Sequence, residues 1–89
     1  MEMDATVLKD AVTRLKRAQG QLGGVIAMIE KGEDCERVVT QLAAASRALD
    51  RAGFKIISTG MRQCQLARER GEQPPLDEEH LEKLFMTLS

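Results

Sequence analysis

Apolar residues recur three and four apart from Leu8 to Ile29, at Leu8, Val12, Leu15, Leu22, Ile26 and Ile29, with the pattern interrupted only at Gln19. A period near 3.5 predicts a helix with one apolar seam. Asp4 is a usable N-cap for it and Gly32, after Lys31, a usable C-cap. Residues 35 to 64 lack proline and carry Ala, Leu, Ile and Val at the same spacing, which predicts a second, long helix. It opens at Asp34, a plausible N-cap, and its apolar face holds Val38, Leu42, Ala45, Leu49 and Ile56. GlyGluGlnProPro at 71 to 75 is a break. A short third helix follows, capped by Asp77, with Leu76 and Leu81 as a hydrophobic staple and Leu81, Leu84, Phe85 and Leu88 as its apolar face. The expected fold is all-α, a three-helix protomer with a long second helix.

Length and composition agree. Eighty-nine residues, taken as a single domain over 1–89, bury only a modest core, so partner subunits are expected to supply the missing burial. Two Phe with no Trp or Tyr suit a helical bundle rather than a sheet. No apolar run approaches the roughly 18 residues of a membrane span, and the first ten residues are acidic where a secretion signal is basic. The expectation is a cytoplasmic protein with no membrane partner. In that compartment two cysteines point to metal or redox chemistry rather than to a structural staple.

Cys35 and Cys64 bound the long helix, 29 residues apart. They fall within roughly 20° of each other around it, yet about 43 Å apart along it, far beyond disulfide reach. A second chain lying antiparallel, crossing between Leu49 and Asp50, sets Cys35 of one copy opposite Cys64 of the other. That geometry predicts a homo-oligomer with paired intersubunit thiol sites. Cys35 lies in the first turn, where the helix dipole favours a thiolate. Taken singly, each cysteine is equally readable as a small buried residue.

The net charge of −1 hides an asymmetry. Lys9 to Met28 holds four basic residues and one acid, whereas Glu72 to Glu82 holds five acids and no Lys or Arg. Arg14, Arg17 and Gln21 fall within about 60° of one another beside the first seam. Arg47, Arg51, Lys55 and Arg62 form a second basic stripe, roughly 150° from the cysteines. Arg and Gln can hold phosphates and base edges, so the two stripes are candidates for DNA, although such a cluster also occurs as an ordinary solvated face. Gly20, Gly23 and Gly24 weaken the first helix by about 1 kcal/mol each, which calls for compensation by close helix packing or by approach to a ligand. His80, the single histidine, stands among charged neighbours and reads as a surface residue. With no CxxC and no acid or base placed near the cysteines, an enzyme is not expected.

RLKRAQGQ at 14 to 21, a cysteine 14 residues later, TQLAAASRAL at 40 to 49 and a cysteine 29 residues after the first together resemble the copper-sensing operon repressor (CsoR) family. The likeness runs from about Lys9 to Leu88. It implies an antiparallel helical-bundle dimer assembling into a dimer of dimers, a transcriptional repressor of operator DNA lacking a helix-turn-helix, and inducer chemistry at a site shared by two protomers. Copper-responsive members use a histidine four residues before the second cysteine, and Gly60 stands there. Two cysteines without that histidine resemble the persulfide-sensing branch, the CsoR-like sulfurtransferase repressors. On that resemblance Cys35 takes sulfur from a sulfane sulfur donor and Cys64 of the neighbouring chain closes a di-, tri- or tetrasulfide bridge that releases DNA. No cofactor is then required; the alternative is Cu(I) held by the thiolates of Cys35 and Cys64.

Overall fold

The computed structural model describes residues 3–89 and contains three helices: α1, Lys9–Glu30; α2, Cys35–Glu69; and α3, Glu78–Leu88. No strand occurs among the described residues. The second helix is the axis of the molecule, its 35 residues spanning about 52 Å of a body 58 × 24 × 16 Å. Helix α1 folds back along the N-terminal part of α2, and α3 packs against the C-terminal part.

Turn chemistry sets these lengths. Both α1 and α2 end in a Schellman motif. The amide of Glu33 reaches Met28 O and that of Gly32 reaches Ile29 O; at the far end Glu72 reaches Ala67 O and Gly71 reaches Arg68 O. Gly32 and Gly71 take φ of +71° and +72°, the left-handed conformation such a motif requires. Asp77 caps α3, its carboxylate accepting from the amides of Glu79 and His80, and Leu76 and Leu81 are both buried as the expected staple.

Two expectations about helix starts are corrected. Regular α1 begins at Lys9, not at Asp4: the Asp4 carboxylate accepts from the Thr6 amide at 2.9 Å, and the next bonds, Val7 N to Asp4 O and Leu8 N to Ala5 O, close three-residue turns instead of α turns. Asp34 does precede α2, but its side chain makes no capping hydrogen bond.

The core differs more. Where α1 meets α2 the buried residues are Ala11, Ala18 and Val25 on one side and Ala45 and Ala52 on the other, each set repeating every seven residues. The apolar seam of α1 is largely exposed in the protomer: Val12, Leu15, Ile26 and Ile29 face outward, with Val39, Leu42 and Leu49 of α2. Alanines let two backbones approach closely, and the larger residues are carried to one side, roughly 40 to 100° around each helix. This apolar face lies opposite the basic stripe.

Candidate functional site: a basic cleft and two separated thiols

Arg14, Arg17 and Gln21 of α1 and Arg51 of α2 line one shallow cleft of about 210 Å³, floored by Ala48. Helical spacing puts the three α1 residues on a single flank, and the small Ala48 lets the two helices close beneath them. A second cleft adjoins it, lined by Arg14, Arg51, Lys55, Phe54, Ser58 and Phe85. Five of the six residues expected to meet DNA therefore share one continuous surface. Arg47 is exposed but lines neither cleft, nor does Arg62.

Sequence reading missed Asp10 at the edge of this surface. Its carboxylate bridges the helices, with Lys55 Nζ at 3.3 Å from Oδ2 and Arg14 Nε at 3.3 Å from Oδ1. The Lys55 ammonium, assisted by the nearby Arg14 guanidinium, holds the Asp10 carboxyl below its ordinary value. The four-residue spacing of Asp10 and Arg14 was the available signal.

The cysteines occupy different environments. Cys35 is the first residue of α2 and is exposed. Cys64 has no exposed surface, and its thiol donates to the Leu76 carbonyl at 3.4 Å. Leu76 and Leu81 cover it, with Met3 and Met61 packed alongside. The two sulfurs share a helix face as expected, but α3 and the preceding loop shield only the C-terminal one. His80 is exposed, as expected.

Gly60 is one turn before Cys64, and a Cβ there would lie 3.1 Å from Leu76 Cδ1 and 3.2 Å from Leu81 Cδ1. The space of a side chain at this position is filled by those leucines. Among the described residues no three His, Cys, Asp or Glu side chains gather where they could hold a metal ion. Within one protomer Cys35 stands in the first turn of α2, Cys64 near its C-terminal end and His80 on α3.

A family profile described as "metal-sensitive transcriptional repressor" matches residues 8–89. The chain belongs to that family. Several relatives are similar over part of the chain. The uncharacterized protein YrkD of Bacillus subtilis is 50% identical over 46 residues, 51% of this chain and 73% of the relative. The copper-sensing transcriptional repressor CsoR of Mycobacterium ulcerans is 37% identical over 54 residues, 61% of this chain and 46% of the relative. The copper-sensing transcriptional repressor RicR of Mycobacterium tuberculosis is 33% identical over 51 residues, 57% of this chain and 53% of the relative. The matched stretch thus spans about half the length of the two copper sensors. No solved structure was found to match. The CsoR family is one of transcriptional repressors and not of enzymes, so DNA is the partner its membership implies. Among the described residues no helix is long and apolar enough to cross a membrane.

Proposed function

We propose that this CsoR-family chain is a cytoplasmic repressor that binds operator DNA through Arg14, Arg17, Gln21, Arg51 and Lys55, with Arg47 at the margin, and senses reactive sulfur through Cys35 and Cys64. The observation that carries the sensing half is Gly60: beside the second thiol stands a glycine packed by leucines, not a side-chain ligand. The basic cleft supports the DNA-binding half, because cations on one rigid surface can neutralise successive phosphates.

Two chains lie antiparallel, crossing between Leu49 and Asp50, and bury the outward row of Leu15, Ile26, Ile29, Leu42 and Leu49. Two such dimers make the tetramer. Cys35 of one chain then stands near Cys64 of the next. The exposed Cys35 thiolate attacks the terminal sulfur of a persulfide or polysulfide, the donor leaves as its thiolate, and Cys35 becomes a persulfide. The Cys64 thiolate of the neighbour attacks the Cys35 sulfur and expels hydrosulfide, leaving a disulfide. If both cysteines carry persulfides, the same displacement of one hydrosulfide leaves a trisulfide, and one more sulfane sulfur gives a tetrasulfide. The thiols are oxidised and the sulfane sulfur is reduced to sulfide. Arg51 and Lys55 ride on the same helix as both cysteines, so a bridge that shifts α2 also shifts the DNA-binding surface.

Gel-shift titration of the upstream promoter with reduced protein, repeated after polysulfide and after Cu(I), tests this reading. Release by polysulfide, with a Cys35–Cys64 intersubunit species carrying added sulfur in mass spectrometry, is expected. Retention of DNA after polysulfide but release by stoichiometric Cu(I) would replace it with copper sensing by the two thiolates.

A further inference from the structure

Among the described residues Cys64 is the one buried nucleophile, and its cover is built on a specific seat. Along α2, Gly53 and Gly60 are seven residues apart, and along α3, Leu81 and Leu88 are seven apart. Leu81 lies over Gly60, and Leu88 lies over Gly53, whose Cβ would come 2.8 Å from Leu88 Cδ1. The two pairs match in antiparallel register, so the glycines form a track into which the leucines of α3 drop. Phe85, midway, stacks at a tilt on Phe54 with centroids 5.3 Å apart. Leu76 closes the near end with both its side chain and its carbonyl, which accepts the Cys64 thiol.

From this arrangement we infer that α3 is a removable cover for Cys64: docked on the Gly53–Gly60 track it masks the thiol, and only its undocking exposes Cys64 as a nucleophile. An eleven-residue helix is marginal alone, and its other ties are modest. Leu84, Phe85, Met86 and Leu88 remain substantially exposed, and the Arg68–Glu78 ion pair at its base is only partly buried. Such an element opens locally at far lower cost than the whole fold. The cover gives the two cysteines an order of reaction, Cys35 before Cys64. It also gives the glycine at 60 a role: a Cβ there would press on Leu76 and Leu81, the residues that close over the thiol. The inference deepens the sulfur-sensing reading and rests on it for its biological purpose, but coverage itself is measured independently.

The experiment is timed alkylation of the reduced full-length protein with iodoacetamide, resolved by peptide mass spectrometry into Cys35 and Cys64. In the wild type Cys64 should react at least about tenfold more slowly than Cys35. Leu81→Ala and the gentler Leu88→Ala, which trims a half-exposed residue at the far end of the helix, should each speed Cys64 severalfold and leave Cys35 unchanged. Far-UV circular dichroism confirms that α1 and α2 persist. Equal rates for the two cysteines in the wild type would overturn the inference, as would a slow Cys64 whose rate neither substitution alters. Polysulfide that fails to crosslink a protein showing the expected alkylation pattern would remove the sensing reading and leave the cover standing.

Discussion

Gly60→Ala is a sharp probe of the packing between α2 and α3. The new methyl would sit 3.1 Å from Leu76 Cδ1 and 3.2 Å from Leu81 Cδ1, and both leucines are buried. Overpacking of this kind costs about 1 to 3 kcal/mol, while replacing glycine by alanine inside a helix returns about 1 kcal/mol. The net expectation is a loss of about 0 to 2 kcal/mol. Leu81→Ala, at a residue 3% exposed, should cost about 2 to 5 kcal/mol, at the lower end because α3 lies at the rim and can settle into the space. The two changes are complementary in volume: the methyl added at Gly60 enters room vacated at Leu81. The double variant should therefore be more stable than the sum of the singles by about 1 kcal/mol. Urea unfolding followed by circular dichroism closes the cycle, at one fixed protein concentration because association and folding are linked. A coupling within about 0.5 kcal/mol of zero would refute the contact between Gly60 and Leu81 as the seat of α3.

Arg51→Ala should weaken operator binding and lower the slope of log affinity against log salt by about 1, the mark of one lost phosphate contact, with Arg47→Ala giving a smaller change; gel shifts at several salt concentrations read both. Asp10→Asn frees Arg14 and Lys55 from an internal carboxylate that competes with phosphate for them, so operator affinity should rise by about 3- to 10-fold at low salt. Because the folded Asp10 carboxyl titrates below its ordinary value of 3.8, its stabilising contribution is present above that value and is lost as pH falls through the folded one. Acid unfolding curves should show wild-type stability falling toward that of Asp10→Asn in that window. Gly24→Ala has open space around its Cβ within the protomer and should stabilise α1 by about 1 kcal/mol in urea titration; a loss would show that another chain packs there.

The pattern of three- and four-residue spacing was enough to place all three helices, because helix stops are written in local chemistry: Gly32, Gly71, the proline pair and Asp77 act where they stand. The core of the hairpin was less legible. Spacing marks Leu15 and Ile26 as one seam but does not say what covers it, and the close α1–α2 contact selects Ala11, Ala18, Ala45 and Ala52 and turns the larger residues outward. The gathering of Arg14, Arg17, Gln21 and Arg51 followed from helical geometry once the two helices were antiparallel. The masking of Cys64 did not, since it depends on where α3 lands, a contact between residues 12 and 17 positions apart that no periodicity encodes.

The alanine seam between α1 and α2 has a mechanical consequence. Short methyl groups set a small distance between the two helix axes, so a shift of α1 against α2 would repack few bulky side chains. At its thinnest the molecule is 16 Å deep, little more than one helix with its side chains, so no intervening layer absorbs a displacement. Cys35, Arg51 and Cys64 all belong to one uninterrupted 35-residue helix, so a rigid displacement of that rod would carry the guanidinium of Arg51 with it.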